Sequence, residues 1–297
     1  MKNNKTDLIP FVGLHAHSVA GSIFDAIGYP QAHMDFAYDN GSEALALTDH
    51  GNMNGLAYQV QHAMRMQAEG KKFKPIFGIE AYFIPSIEEW HSEYEKVMED
   101  KKAARQAGKS SQSGAVVEDE DASKKAIKSV LNRRRHLVLL AQNQTGLSNL
   151  FKLISESYKA ENFYRYPRVD YDLLSKYSDG VIALSACLGG VYAGNYWENG
   201  TYDDEGNRTG HDREAVLVAM RETSSRMKDV FGDRWYAELQ WNNIKEQHDL
   251  NSCIIEVAKE YDIKLVSTAD SHYPNPQAWK DRELYKRLGW LGKGRPS

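Results

Sequence analysis

The sequence predicts an α/β fold: a distorted seven-stranded β/α barrel carrying a charged helical insertion. Three observations support that expectation. Seven short β-branched and apolar runs are spread along the chain, longer stretches between them repeat their apolar residues at three- and four-residue steps, and one charge-dense stretch has neither pattern. A doubly wound open sheet has the same alternation, and periodicity alone does not separate the two architectures. With 297 residues, 41% hydrophobic and 26% charged, there is apolar material for one large core or two modest ones, and the chain reads as a single domain over 1–297.

In order, the expected strands are FVGLHAH (11–17), EALALTDH (43–50), KPIFGIEAYFI (74–84), HLVLLAQ (136–142), GVIALSAC (180–187), WYAELQW (235–241) and IKLVSTAD (263–270). Helical spacing fills 55–67, 145–159, 213–228 and 244–260. Residues 93–135 are rich in charge, Ala and Ser and nearly free of large apolar side chains, so they read as an insertion. It is expected to hold one or two exposed helices joined by a Ser/Gly hinge at 108–114, outside the barrel wall. Within it, AARQAGKS (103–110) resembles a phosphate-binding loop, but it does not lie between a strand and a helix, and that context rejects it. Residues 292–297 read as a linker or truncated tail.

Charge and composition narrow the function classes. Thirty-seven Lys and Arg against 41 Asp and Glu give a formal charge of −4, so any contact with phosphate must be local. No apolar leader and no long apolar run point to a membrane, and the two cysteines, Cys187 and Cys253, form no Cys-x-x-Cys pair. The expectation is a soluble, cytoplasmic protein.

In β/α barrels the chemistry sits at the C-terminal ends of the strands. Here the first run ends in His15-Ala-His17, the second in Thr48-Asp49-His50, the fifth at Cys187 and the last in Asp270-Ser271-His272, while the third carries Glu80. Residues i and i+2 of a strand share a face, so each flanking pair aims at one centre. Singly, each has an ordinary reading: a chance His-x-His, a capping Asp49, a buried thiol. Glu80 is sharper, because an acid within an apolar strand costs heavily unless it is paired or ligates a cation. Five such ends out of seven point jointly to a metal site. Basic residues Arg133 to Arg135, with Arg165 and Arg168 in NFYRYPRVDY, are candidates to hold phosphate at the mouth, a solvated loop being the alternative.

The runs HAHSVAGSIFDA, ALALTDHGNMNG, KPIFGIEAYF, HLVLLAQNQTGLSNLFKLIS, YPRVD, GVIALSACLGG, YAELQ and STADSHY, in that order, resemble the PHP (polymerase and histidinol phosphatase) domain at the amino terminus of bacterial or phage DNA polymerase III alpha subunits. Only the insertion and the tail after about Ala278 fall outside the likeness. The resemblance implies a distorted seven-stranded barrel and nine ligands for up to three divalent ions, at His15, His17, Asp25, His50, Glu80, His136, Cys187, Asp270 and His272. It places one ion on His15, His17, Glu80 and Asp270, a second on Glu80, His136 and Cys187, and a third on Asp25, His50 and His272. His136, which begins its strand, and Asp25, in a loop, rest on the resemblance alone. The mixture of His, carboxylate and one thiolate suits Zn, Mn or Fe better than an all-oxygen site for Mg or Ca.

The resemblance further implies a metal-dependent phosphoesterase, foremost a 3′–5′ proofreading exonuclease module, with Glu80, Asp270 and His17 as catalytic residues. Its partners would be a single-stranded or frayed DNA 3′ end, the polymerase core and the replication subunits. A metal-binding scaffold without activity and a small-molecule phosphatase of the histidinol phosphatase kind are the alternatives. No room for a polymerase active site is expected beside the barrel.

Overall fold

The computed structural model describes residues 11–110 and 132–291. Ten strands are present among them: β1 (Ala44–Leu47), β2 (Lys74–Phe83), β3 (Arg135–Ala141), β4 (Phe163–Tyr164), β5 (Tyr166–Val169), β6 (Val181–Leu184), β7 (Gly200–Tyr202), β8 (Arg208–His211), β9 (Trp235–Leu239) and β10 (Lys264–Ser267). The helices are α1 (Pro30–Asp39), α2 (Leu56–Ala68), α3 (Ile87–Ser110), α4 (Gln144–Ser157), α5 (Tyr171–Tyr177), α6 (Val191–Glu198), α7 (Arg213–Phe231), α8 (Lys245–Glu260) and α9 (Trp279–Leu291). Local chemistry fixes several starts. Asn143, Asp170 and Asp212 accept the backbone N–H groups of Gly146, Leu173 and Ala215 at the N-termini of α4, α5 and α7.

The fold is mixed α/β around a curled sheet, a half-barrel in which the strand order is β10-β9-β6-β3-β2-β5-β4, while β1 also pairs with β2. The long β2 takes β1 along its first half and β5 at its end, both parallel, and β3 on its other edge. Strand β3 runs antiparallel to both β2 and β6, a departure from the all-parallel alternation that the sequence suggests. The first expected strand is not a continuous ladder. Its residues instead bridge the two ends of the sheet: Ala46 N–H donates to Gly13 O and His17 N–H to Ser271 O, each at 2.8 Å.

The two-residue alternation sorts each strand between two cores. Ile79, Ala81 and Phe83 of β2, with Leu137 and Leu139 of β3, pack outward against helices α4 to α8, where Tyr192, Met220, Phe231 and Trp235 are also buried. Val138 and Leu140 point inward with Ala46, Leu184 and Ala186. Each fully buried Leu or Phe contributes about 1.5 to 3 kcal/mol relative to exposure. Glu80 and Tyr82 lie on the inward face of β2, which is how a carboxylate comes to stand inside the sheet.

Helix α3 starts before the expected insertion, because Ile87 and Trp90 are buried with Ile84 and give its first turns an apolar face. It runs through Gly108, so the expected hinge at 108–114 is helical as far as Ser110, and AARQAGKS lies on the helix. The rest of that hinge, the insertion over 111–131 and the tail 292–297 lie outside the described residues. Among the described residues no helix is long and apolar enough to cross a membrane.

Candidate metal centre

Glu80 is the hub. Fully buried on the inward face of β2, its Oε1 lies 2.8 Å from His136 Nδ1, 3.3 Å from His15 Nε2 and 3.7 Å from Cys187 Sγ. Its Oε2 lies 2.5 Å from His50 Nδ1 and 3.6 Å from His17 Nε2. Asp270 Oδ1 lies 3.0 Å from His17 Nε2, 3.3 Å from His15 Nε2 and 3.5 Å from His272 Nδ1. Asp25 Oδ2 closes the cluster, 3.1 Å from His50 Nε2 and 3.3 Å from His272 Nε2. The structure therefore brings all nine side chains together, including His136 and Asp25.

The antiparallel course of β3 explains His136. The first residues of β3 lie at the same end of the sheet as the last residues of β2, with His136 directly opposite Tyr82. Backbone strain surrounds the other ligands. Asp270 itself, Phe24 before Asp25 and Ala186 before Cys187 have φ of 49°, 63° and 62°, a left-handed conformation that costs a non-glycine residue about 1 to 3 kcal/mol. Gly51, after His50, has φ of 69°, and a Cβ there would meet Pro167 and Tyr82.

The surroundings orient the rings. His15 Nδ1 is 2.8 Å from Glu238 Oε1, His17 Nδ1 is 3.3 Å from Ser22 Oγ, and His272 Nδ1 donates to Asp270 O at 2.8 Å. Each ring thus presents Nε2 to the cluster, as metal-bound imidazoles anchored by a second contact do. Three buried ligand atoms, His15 Nε2, His50 Nδ1 and Glu80 Oε2, crowd against one another and Asp270 without completing a hydrogen bond in good geometry. Buried polar atoms left this way cost about 1 to 3 kcal/mol each, so the donor set fits a metal centre. Three triads have ligand atoms within 4.8 Å of one another: His15, His17 and Glu80; His50, Glu80 and His136; His17, His50 and His272. His50 belongs to two of them.

Electrostatics point the same way. Burial works against the charge on Glu80, but His136, His50 and His15 outweigh it and hold the carboxyl well below its usual range. Burial likewise opposes the charged form of His50, yet Glu80 and Asp25 raise it to about 10. For His17 burial wins, helped by His50, and the ring falls to about 3. Burial and then Glu80 push the Cys187 thiol up. The carboxylates thus demand positive charge, which divalent ions would supply once the rings and the thiol give up their protons.

Two residues that shape the site, Glu238 and Arg282, carry no signal used in the sequence reading. Glu238, buried on β9, also accepts from Gln240 at 2.9 Å and from Thr268. Arg282 on α9 donates from Nε to Asp25 O and from Nη2 to Asp25 Oδ1, both at 2.8 Å. Asp49 follows the capping alternative that the sequence offers for it, organising the loop by accepting from Ser18 N–H and from the hydroxyls of Ser18 and Ser22.

Of the five arginines expected at the mouth, Arg168 is corrected. It is 1% exposed, donates to Tyr164 O at 2.8 Å and lies over the Trp90 ring, so a phosphate cannot reach it. Arg165 is exposed, lying near Tyr164.

The sequence model of the PHP domain matches residues 13–242. The chain is 38% identical over 267 residues to the DNA polymerase III subunit alpha of Aquifex aeolicus, an alignment covering 90% of this chain and 18% of the relative. With the corresponding subunit of Borreliella burgdorferi it shares 33% identity over 281 residues, 94% of this chain and 19% of the relative. The chain thus spans about a fifth of the length of these curated relatives. Among solved structures, an amidohydrolase from Chromobacterium violaceum aligns over 92% of this chain and 96% of its own at 13% identity and a TM-score of 0.45, too distant to carry an argument.

Proposed function

The chain belongs to the PHP domain family, and from that premise we propose that it is a metal-dependent phosphoesterase, the 3′–5′ proofreading exonuclease module of a polymerase III alpha-type replicative enzyme. The observation that carries this reading is the gathering of nine metal-competent side chains into one cluster with Glu80 as its hub, where three buried ligand atoms complete no hydrogen bond in good geometry. The curled sheet, bridged through residues 13–17, is read as the family's distorted seven-stranded barrel. The chain's partners would be a single-stranded or frayed DNA 3′ end, the polymerase core and other replication subunits, in the cytoplasm.

One ion would be held by His15, His17, Glu80 and Asp270, a second by Glu80, His136 and Cys187, and a third by Asp25, His50 and His272. His50, within reach of both the second and third groups, lies between them. Zn, Mn or Fe suits this donor set. Such ions supply an activated water and charge stabilisation on the phosphoryl and leaving oxygens. The chain's own part is positioning. Glu80 would bridge two ligand groups, the partly exposed Asp270 would stand nearest the substrate's phosphate with the buried His17 acting through the ion they hold, and Glu238 and Ser22 set which ring nitrogens face inward.

The test compares wild type with Asp270→Asn on a 3′-labelled single-stranded oligonucleotide and on a chromogenic phosphate monoester. Label release by wild type and its loss in the variant are expected, with no primer extension by either. Cleavage of the monoester alone would replace the exonuclease with a small-molecule phosphatase. Equal background on both substrates, with metal bound, would leave a scaffold.

A further inference from the structure

Beside the metal cluster, the ends of β2 and β3 and helices α6 and α7 enclose a separate cleft of about 930 Å³. Its lining is basic, in a chain whose net charge is −4: Arg133, Arg134, Arg135 and Arg226 against Glu198 and Glu222. Two of the four arginines are committed, Arg135 to Glu198 and Arg133 to Glu93 at 3.5 Å. Arg134 and Arg226 make no ion pair among the described residues. Their guanidinium groups lie on rings instead, Arg134 at 3.8 Å from the Tyr166 centroid, with Nη1 donating to Asn132 O at 3.3 Å, and Arg226 at 3.8 Å from the centroid of Tyr171. Stacking holds such a group flat while its N–H edge stays available to fork onto phosphate. Arg134 Nε is in addition buried without a hydrogen-bond partner.

The cleft adjoins the metal cluster at two points. Arg134 also lies 5.4 Å from the ring of Tyr82, which stacks on His50 and meets His136 edge-on. On the other wall, Val191 follows Gly190, whose backbone bridges to His136. A volume near the top of the range for sites that enclose one small ligand, with two guanidiniums free of ion pairs on different elements, suits a run of nucleotides better than a single one.

We infer that this cleft is a binding track for the sugar–phosphate backbone of a single-stranded nucleic acid whose end lies at the metal cluster, with Arg134 and Arg226 holding its phosphates. The placement of the strand's end rests on the phosphoesterase reading; the binding of the backbone does not.

The experiment reads binding directly, by fluorescence anisotropy of a labelled phosphorothioate single-stranded oligonucleotide on the metal-loaded full chain across a salt series. Because the linkages resist hydrolysis, the result is independent of whether the chain cleaves DNA. Arg226→Glu should weaken binding about tenfold and lower the salt dependence by about one released counterion. Glu222→Gln, one turn earlier on α7, should tighten it about twofold. A melting temperature close to wild type shows that each variant is folded. Wild-type affinity in both variants, or absence of binding by wild type, overturns the inference. So does displacement of the oligonucleotide by a mononucleotide at equal nucleotide concentration, which would make the cleft a site for free nucleotide.

Discussion

The inward face of the sheet is made of different material at its two ends. At one end β2 presents Glu80 and Tyr82 and β3 presents His136, within a cluster of imidazoles, carboxylates and one thiol. At the other, the same two strands present Ile76 and Leu140, which with Ile182, Leu184, Tyr236 and Val266 line an apolar cavity of about 520 Å³. Both ends obey the same two-residue alternation, so local structure does not distinguish them. Desolvation does. The apolar end gains roughly 25 cal/mol for each Å² removed from water, whereas the polar end costs free energy wherever a ligand atom stays unpaired. The contrast assigns stability to one end and chemistry to the other.

The sharpest test of that division is at the hub. Glu80→Gln should empty two metal positions and reduce hydrolysis by about a thousandfold or more, roughly 4 kcal/mol of transition-state stabilisation. Elemental analysis beside a rate measurement checks it. A variant that keeps both its metal content and its rate would remove Glu80 from the centre. Chelation of the wild type should lower the melting temperature, since ions that bind only the folded chain stabilise it.

The matching change at the apolar end is Leu140→Ala. It should cost about 2 to 5 kcal/mol of stability in denaturant titration, through lost transfer and the cavity left behind, while metal content stays at the wild-type level. Loss of metal in folded Leu140→Ala would break the comparison, because it would show that the two ends are mechanically coupled.

What the sequence revealed follows the same line. Six of the seven runs form strands, and these and the ligand types could be read because alternation and an acid in an apolar strand are local signals, whereas the run at 11–17 forms isolated bridges. His136 could not be placed by position, because nothing local states that β3 runs against its neighbours. Glu238 is as readable as Glu80: it stands in WYAELQW as Glu80 stands in IFGIEAYFI, and the same desolvation argument applies to it. The burial of Arg168 depends on Trp90, on a helix that begins before the charged stretch, so its removal from the mouth is a tertiary fact.

Glu238 offers the next, smaller effect. Glu238→Gln keeps an acceptor near His15 Nδ1 but removes the charge that makes the ring a better ligand, so metal affinity should fall by about 10- to 100-fold. Competition against a chromogenic chelator measures it. Unchanged affinity would reduce Glu238 to a packing residue held by Thr268 and Gln240.

The smallest effect tests how far the polar end extends. Asp25 sits in a loop, and Arg282, far along the chain on α9, grips it by a backbone oxygen and a carboxylate oxygen at once. The same helix packs on that loop through Tyr285, whose ring stacks on Phe24 at 5.4 Å. If α9 positions Asp25, then Arg282→Gln should weaken the ion held by Asp25, His50 and His272 by about tenfold and leave the ions on Glu80 in place. Metal content should then fall from three toward two per chain as free metal is lowered, at an unchanged melting temperature of the chelated protein. Arg282→Lys, which keeps the charge but cannot fork, should behave like the Gln variant. Equal loss of all ions would mean that α9 supports the whole cluster, and no loss would mean that Asp25 is held by its two histidines alone.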